Sequence, residues 1–153
     1  MIWISQHLPI RIGAKSTKMT DAYLIDTCAM IWITQFGPIT QRSVSTLTSK
    51  QSTLYVSAMS AWEIGMLVSK GRLPTTKNSL VWFQDFVGQS GADILAVTPE
   101  ILVASSFLPT PIHNDPIDRI LVATAREHDL TIITRDRAIL ACGAEGHVKT
   151  LAC

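Results

Sequence analysis

Five short apolar runs punctuate the chain, and the stretches between them follow a different period. AYLID (22–26), TLYVS (53–57), DILAV (93–97), TIIT (131–134) and HVKTLA (147–152) read as strands, most of them apolar on both faces. In residues 28–35, 39–49, 61–69, 78–88, 100–107 and 116–128, apolar positions recur at spacings of three and four, which is the pattern of helices. A strand that is apolar on both faces must be covered on both, and alternation with helices supplies the cover. The expected fold is therefore α/β, a three-layer α/β/α arrangement with a central parallel five-stranded sheet and helices on both faces. Gly37-Pro38 splits the first helical region, Gly71 and Pro74 end another, and Thr98-Pro99 starts a third.

At 153 residues with 47% hydrophobic content, the chain suits one domain with a single well-buried core. We expect that domain over residues 21–153. Residues 1–20 form an N-terminal extension without clear period, and Met19, just ahead of the first strand, is an alternative start. A net charge of +1 with 16% charged residues sets up no global basic field, although a local patch can still bind nucleic acid. Low charge together with positive mean hydropathy points to apolar surface covered by a partner or a second copy. Cys28, Cys142 and Cys153 are odd in number and lack any CxxC, so neither a disulfide framework nor a zinc cluster is expected, and a reducing cytoplasm fits. No segment approaches the length of a membrane span or a secretory signal. In SLVWFQDFVG, Leu80, Trp82, Phe83, Phe86 and Val87 are expected to pack in the core, with an interface role as the alternative; Trp62 is read the same way, whereas Trp3 has no clear place.

Four carboxylates stand at comparable places in this scheme. Asp26 closes the first strand and Asp136 follows TIIT directly. Glu63 lies in SAMSAWEI after the second strand, where Ser60-Ala61-Trp62-Glu63 reads locally as a capping box. In HNDPIDRILVATA, Asp115 reads as an N-cap, Pro116 as the first helical residue and Asp118 as the third. Each acid singly is explained by a cap or turn. Together they differ, because right-handed crossovers bring the carboxyl ends of all parallel strands to one edge. Asp26, Glu63, Asp118 and Asp136 would then share one crevice, where mutual repulsion raises their pKa values unless cations neutralise them. With no Cys or His at ligand spacing, an oxygen-only set points to Mg2+ or Mn2+ rather than zinc. Such ions activate water and hold a phosphodiester for in-line attack, so phosphodiester hydrolysis is the leading chemistry.

The motifs LIDT, SAMSAWEI, HNDPIDRILVATA and TIITRD, in this order and spacing over residues 21–152, resemble the PIN domain, and within it the VapC-type toxins of bacterial toxin-antitoxin pairs. The resemblance implies a PIN-like fold, four acids binding Mg2+ or Mn2+, ribonuclease activity on RNA, a homodimer, and neutralisation by a cognate antitoxin in a toxin-antitoxin assembly. Asp26, Glu63 and Asp118 then look like the principal metal ligands and catalytic acids, with Asp136 the fourth. Thr27 and Thr134 either position water or phosphate through their hydroxyls or are structural. Arg119 is a candidate phosphate contact or a surface partner of Asp115. His113 is a candidate phosphate donor or general acid. Lys70, Arg72, Arg126, Arg135 and Arg137 are scattered cations that could line an RNA track, although scattered bases are usually solvated surface, and none is singled out. Cys28 departs from the residues frequent after Asp-Thr.

Two other readings compete. The acids could simply cap helices in a catalytically inactive PIN-like binding or scaffold module. An aspartate could instead accept a phosphoryl group, but Asp26 is not followed by a DxD-type second aspartate and no strand-end Lys accompanies the acids.

Overall fold

A computed structural model describes residues 21–109, 112 and 114–153. The expectations for Trp3, the stretch around Met19 and His113 lie outside the described residues. In chain order the elements are β1 (Ala22–Ile25), α1 (Thr27–Thr34), α2 (Gln41–Thr48), β2 (Thr53–Ser57), α3 (Ala58–Ser69), α4 (Ser79–Ser90), β3 (Asp93–Leu95), α5 (Pro99–Ser106), α6 (Pro116–Glu127), β4 (Thr131–Thr134), α7 (Arg137–Ala144) and β5 (Lys149–Ala152). The five strands pair in the order β3-β2-β1-β4-β5, every pair parallel.

The two-residue period of the strands separates the core into two layers. Ile25 of β1 and Ile133 of β4 join Leu54, Val56, Met30, Ile64 and Phe86 on one face of the sheet. Their neighbours Leu24 and Ile132 point the other way, into Ile101, Leu121, Ile139 and Cys142. The central strands are thus buried on both faces, which is why they read as unbroken apolar runs. Chain progression reverses between β1 and β4, leaving a crevice at their carboxyl ends.

Some boundaries differ from the sequence reading. Helix α7 was not anticipated: its eight residues, RAILACGA, are short and contain a glycine, and the signal that marks them is the capping Asp136. Helix α3 begins at Ala58, three residues earlier than expected, because Ser57 itself caps it by accepting from the Met59 N–H at 3.0 Å. Glu63 therefore lies in the second turn, and the proposed capping box with Ser60 does not form.

Aromatic placement follows the helical step. Trp82, Phe83 and Phe86 are buried, with the Trp82 and Phe86 rings stacked at 6.3 Å between centroids. Leu80 and Val81 precede Trp82 and Phe83 by two residues, about 200° of turn, and face outward. Trp62 stands in the same relation to buried Ser60 and Ile64 and is 56% exposed, so the core assignments of Trp62 and Leu80 are corrected.

This division of α4 is testable by urea unfolding. Phe86→Ala empties a fully buried position and is expected to cost about 3–5 kcal/mol. Leu80→Ala on the same helix should change stability by no more than about 0.5 kcal/mol.

Candidate functional site

Asp26 is the N-cap residue of α1, yet its side chain caps nothing. Its backbone N–H continues the ladder by donating to the Ile133 carbonyl at 3.0 Å, and the chain then turns into the helix. The carboxylate, only 3% exposed, is taken up by two donors instead. Thr134 donates its hydroxyl proton to Asp26 Oδ2 at 2.6 Å, and the Cys28 thiol donates to the same oxygen at 2.8 Å. The Thr134 hydroxyl in turn accepts from the Asp136 N–H at 2.9 Å, so one hydroxyl couples the ends of β1 and β4. The Thr134 hydroxyl, fully buried, is engaged with protein groups, which is the structural one of its two readings. Thr27 is buried and donates to Ser60 Oγ at 2.8 Å, tying α1 to α3.

The other acids approach from three helices. Asp136 is the N-cap of α7 and accepts from the Ile139 N–H at 2.9 Å through Oδ1. Asp118 lies in the first turn of α6, whose N-cap is Asp115, as expected; Asp115 Oδ1 accepts from the Ile117 and Asp118 N–H groups at 2.8 and 3.3 Å. Glu63 projects from the second turn of α3, and its Oε2 is buried with no hydrogen-bond partner among the described residues. Arg119 uses its Nε–H to hold the Ser105 carbonyl at 2.9 Å, joining α6 to α5.

The acids lie near enough for their charges to act on one another. The Asp118 carboxyl is pushed up to about 7, first by burial and then by the negative charges of Asp26, Asp136, Asp115 and Glu63. Burial likewise raises Asp26, against the lowering effect of the Cys28 and Thr134 donors, with Asp136 adding repulsion. Glu63 is raised by burial, partly offset by the Thr27 hydroxyl, and further by Asp26 and Asp115. The Cys28 thiol is pushed up to about 12 by burial and by the adjacent Asp26 charge, so it remains a protonated donor at neutral pH.

A hard divalent cation fits this donor set. Every converging group offers carboxylate oxygens, their charges oppose one another, and Glu63 Oε2 is a buried acceptor awaiting a partner. Among the described residues, no group of three His, Cys, Asp or Glu side chains is disposed as it stands to hold a metal ion.

Sequence reasoning missed two features here. One is the thiol donor Cys28, noted only as a departure from the family pattern. The other is the pairing of Arg135 with Trp32, whose ring centroid lies 4.0 Å from the guanidinium carbon. A residue two places after a strand-end acid, at the start of a helix, can reach back to that acid. That signal was available for Cys28. Nothing in the sequence links Arg135 to Trp32.

A family model described as the PIN domain matches residues 23–143. The chain is 26% identical over 116 residues to Ribonuclease VapC22 of Mycobacterium tuberculosis, a match covering 76% of this chain and 88% of that protein. Its fold is similar to those in the DNA-bound VapBC2 structure from Rickettsia felis, with a TM-score of 0.64 at 14% identity over 86% of this chain and 98% of that one. It is also similar to DNA-bound VapBC from Salmonella typhimurium, with a TM-score of 0.63 at 15% identity over 88% and 98%.

The raised Asp118 pKa fixes a sign. The folded state binds this proton more tightly than the unfolded chain, so the stabilisation is complete below the unfolded pKa of 3.8 and is lost as pH rises through about 7. In EDTA, the thermal midpoint of the wild type should therefore fall relative to that of Asp118→Asn between about pH 5 and about pH 8. Adding Mg2+ or Mn2+ should raise the wild-type midpoint more than that of the variant.

Proposed function

The chain belongs to the PIN-domain family, and from that premise we propose that it is an Mg2+- or Mn2+-dependent endoribonuclease toxin, neutralised by a cognate antitoxin. One observation carries the reading: a buried aspartate, held by two donors in the crevice between β1 and β4, with the charges of Asp26, Glu63 and Asp136 all felt by Asp118. Asp26, Glu63, Asp118 and Asp136 would hold the ion. Bound there, it would supply charge neutralisation, activation of water near neutral pH and stabilisation of the leaving oxygen.

The protein's own part is to fix these oxygens. Thr134 and Cys28 orient Asp26, and Thr134 also anchors the backbone of Asp136. Asp115 and Pro116 start α6 so that Asp118 faces the cluster from the first turn. Thr27 and Ser60 set α1 against α3 and thereby the distance from Asp26 to Glu63.

The surface supports partners. Leu102, Val103 and Phe107, on and just after α5, are exposed, Phe107 by 82%, as are Trp62, Leu80 and Val81 on α3 and α4. Such apolar groups suit a homodimer contact and an antitoxin helix whose basic side chain approaches the acids. The similar solved structures include VapBC toxin-antitoxin complexes. No helix among the described residues is long and apolar enough to cross a membrane, and the three cysteines are free. A cytoplasmic location is part of the proposal, and the free thiols suit it.

The inactive-scaffold alternative draws on Asp115 and Asp136, which do cap helices. Asp26 and Glu63 do not, and capping leaves their burial unexplained.

The deciding experiment is cleavage of a mixed RNA pool by antitoxin-free protein with Mg2+, Mn2+ or EDTA. Asp26→Asn and Asp118→Asn should each lose more activity than the roughly 10–100-fold typical of changes outside the ligand shell. Thr134→Val should fall within that roughly 10–100-fold range, while Thr134→Ser keeps most of the rate. Equal cleavage by all variants, or cleavage indifferent to EDTA, would return the acids to capping roles.

A further inference from the structure

Beside the acids opens a second cleft, of ≈340 Å3, lined by Cys28, Ile31, Trp32, Gln35, Arg135 and Asp136. Two of these residues join it to the site already described: Cys28 touches Asp26, and Asp136 is one of the four acids. Its volume is near the lower end of the range for ligand clefts, about 300–1,000 Å3, and suits one small unit rather than a folded segment.

The far wall is built with care. The Trp32 indole donates to the Pro38 carbonyl at 2.9 Å and lies directly on Gly37, where a Cβ would come within 2.1 Å of the ring. Only glycine permits that approach. The guanidinium of Arg135 lies over the indole at 4.0 Å and donates through Nη1 to the Cys153 carbonyl at 3.0 Å. A flexible side chain is thus held at two points, over the Trp32 ring and at the Cys153 carbonyl, while remaining exposed. The turn beside it carries strain as well: Phe36 is 53% exposed and adopts φ 61, a left-handed conformation rare for a bulky residue.

Arg135 is the one cation among the residues lining this cleft. An RNA strand approaching four carboxylates needs positive charge close by, and unpaired bases stack readily on guanidinium planes and aromatic rings. We propose that the Trp32–Arg135 plate is a nucleobase subsite next to the scissile phosphodiester. The base stacks on the outer face of Arg135, and the exposed Gln35 amide reads its edge. This rests on the ribonuclease reading and adds to it the residues that would select the nucleotide beside the cut. A larger cleft of ≈650 Å3 opens at the opposite edge of the sheet, by Tyr23, Thr131 and Lys149, where Lys149 pairs with Asp129 at 2.8 Å.

The test uses cleavage-null Asp26→Asn full-length protein and fluorescein-labelled single-stranded RNA homopolymers, read by anisotropy. Adding Arg135→Met should weaken binding about tenfold or more, and Arg135→Lys should restore little, because stacking needs the plane as well as the charge. Gln35→Ala should change the order of preference among the homopolymers and, in the otherwise wild-type enzyme, the base found beside the cut. If Arg135→Met unfolds the protein, the Gln35→Ala result alone decides. Wild-type cleavage with unchanged binding and unchanged cut sites in these variants would overturn the subsite while leaving the nuclease intact. Full recovery with Arg135→Lys would reduce the plate to a point charge and also overturn it. Unchanged RNA binding with an altered dimer equilibrium would make the plate a protein contact, against the proposal. Absence of both cleavage and RNA binding in folded protein would overturn subsite and nuclease together.

Discussion

The structure depends on a carboxylate kept where water does not reach it. Asp26 is nearly inaccessible, and an ionised group in that position is tolerated only with donors aimed at it. Thr134 and Cys28 provide them from two elements, so the polar contact that makes Asp26 bearable also fastens β1 to β4 at the point where the sheet changes direction. The remaining acids then converge upon a charge that cannot move away. Burial first, and the neighbouring negative charges second, raise the carboxyls of Asp26, Glu63 and Asp118.

Much of this was legible in the sequence because central parallel strands leave little freedom. Leu24-Ile25 and Ile132-Ile133 must each satisfy two hydrophobic layers, and that double demand marks them as strands with an acid or threonine at the end. Asp118 was legible because Asp-Pro fixes where a helix starts. Glu63 was read at the wrong helical position: Ser60 three residues ahead of a glutamate imitates a capping box, but Ser57 lies closer to the strand end and captures the N-terminus first. Which of two serines caps is settled by where β2 stops, a tertiary fact.

Other features were hidden for the same reason. Trp62 and Leu80 have the composition of core residues, and only the rotation of α3 and α4 against the sheet turns them outward. The apposition of Arg135 and Trp32 joins residues more than a hundred positions apart, and no local pattern encodes it. Short α7 lacked a convincing period, and its existence follows from Asp136 capping and from Ile139 and Cys142 covering one sheet face.

The pairing of β1 with β4 also bears on time. Thr134 and Asp26 are 108 residues apart, and Tyr23 aligns with Thr131 across the sheet. On a ribosome the first half of the sheet, β1 to β3, emerges long before β4, and closing so long a loop is an entropically costly, slow step in folding. Until β4 docks, Asp26 lacks its Thr134 donor, and Asp136 has no fixed place beside it. A nascent chain therefore passes most of its synthesis with an unassembled centre, and the four acids come together only once β4 and α7 have been made and docked.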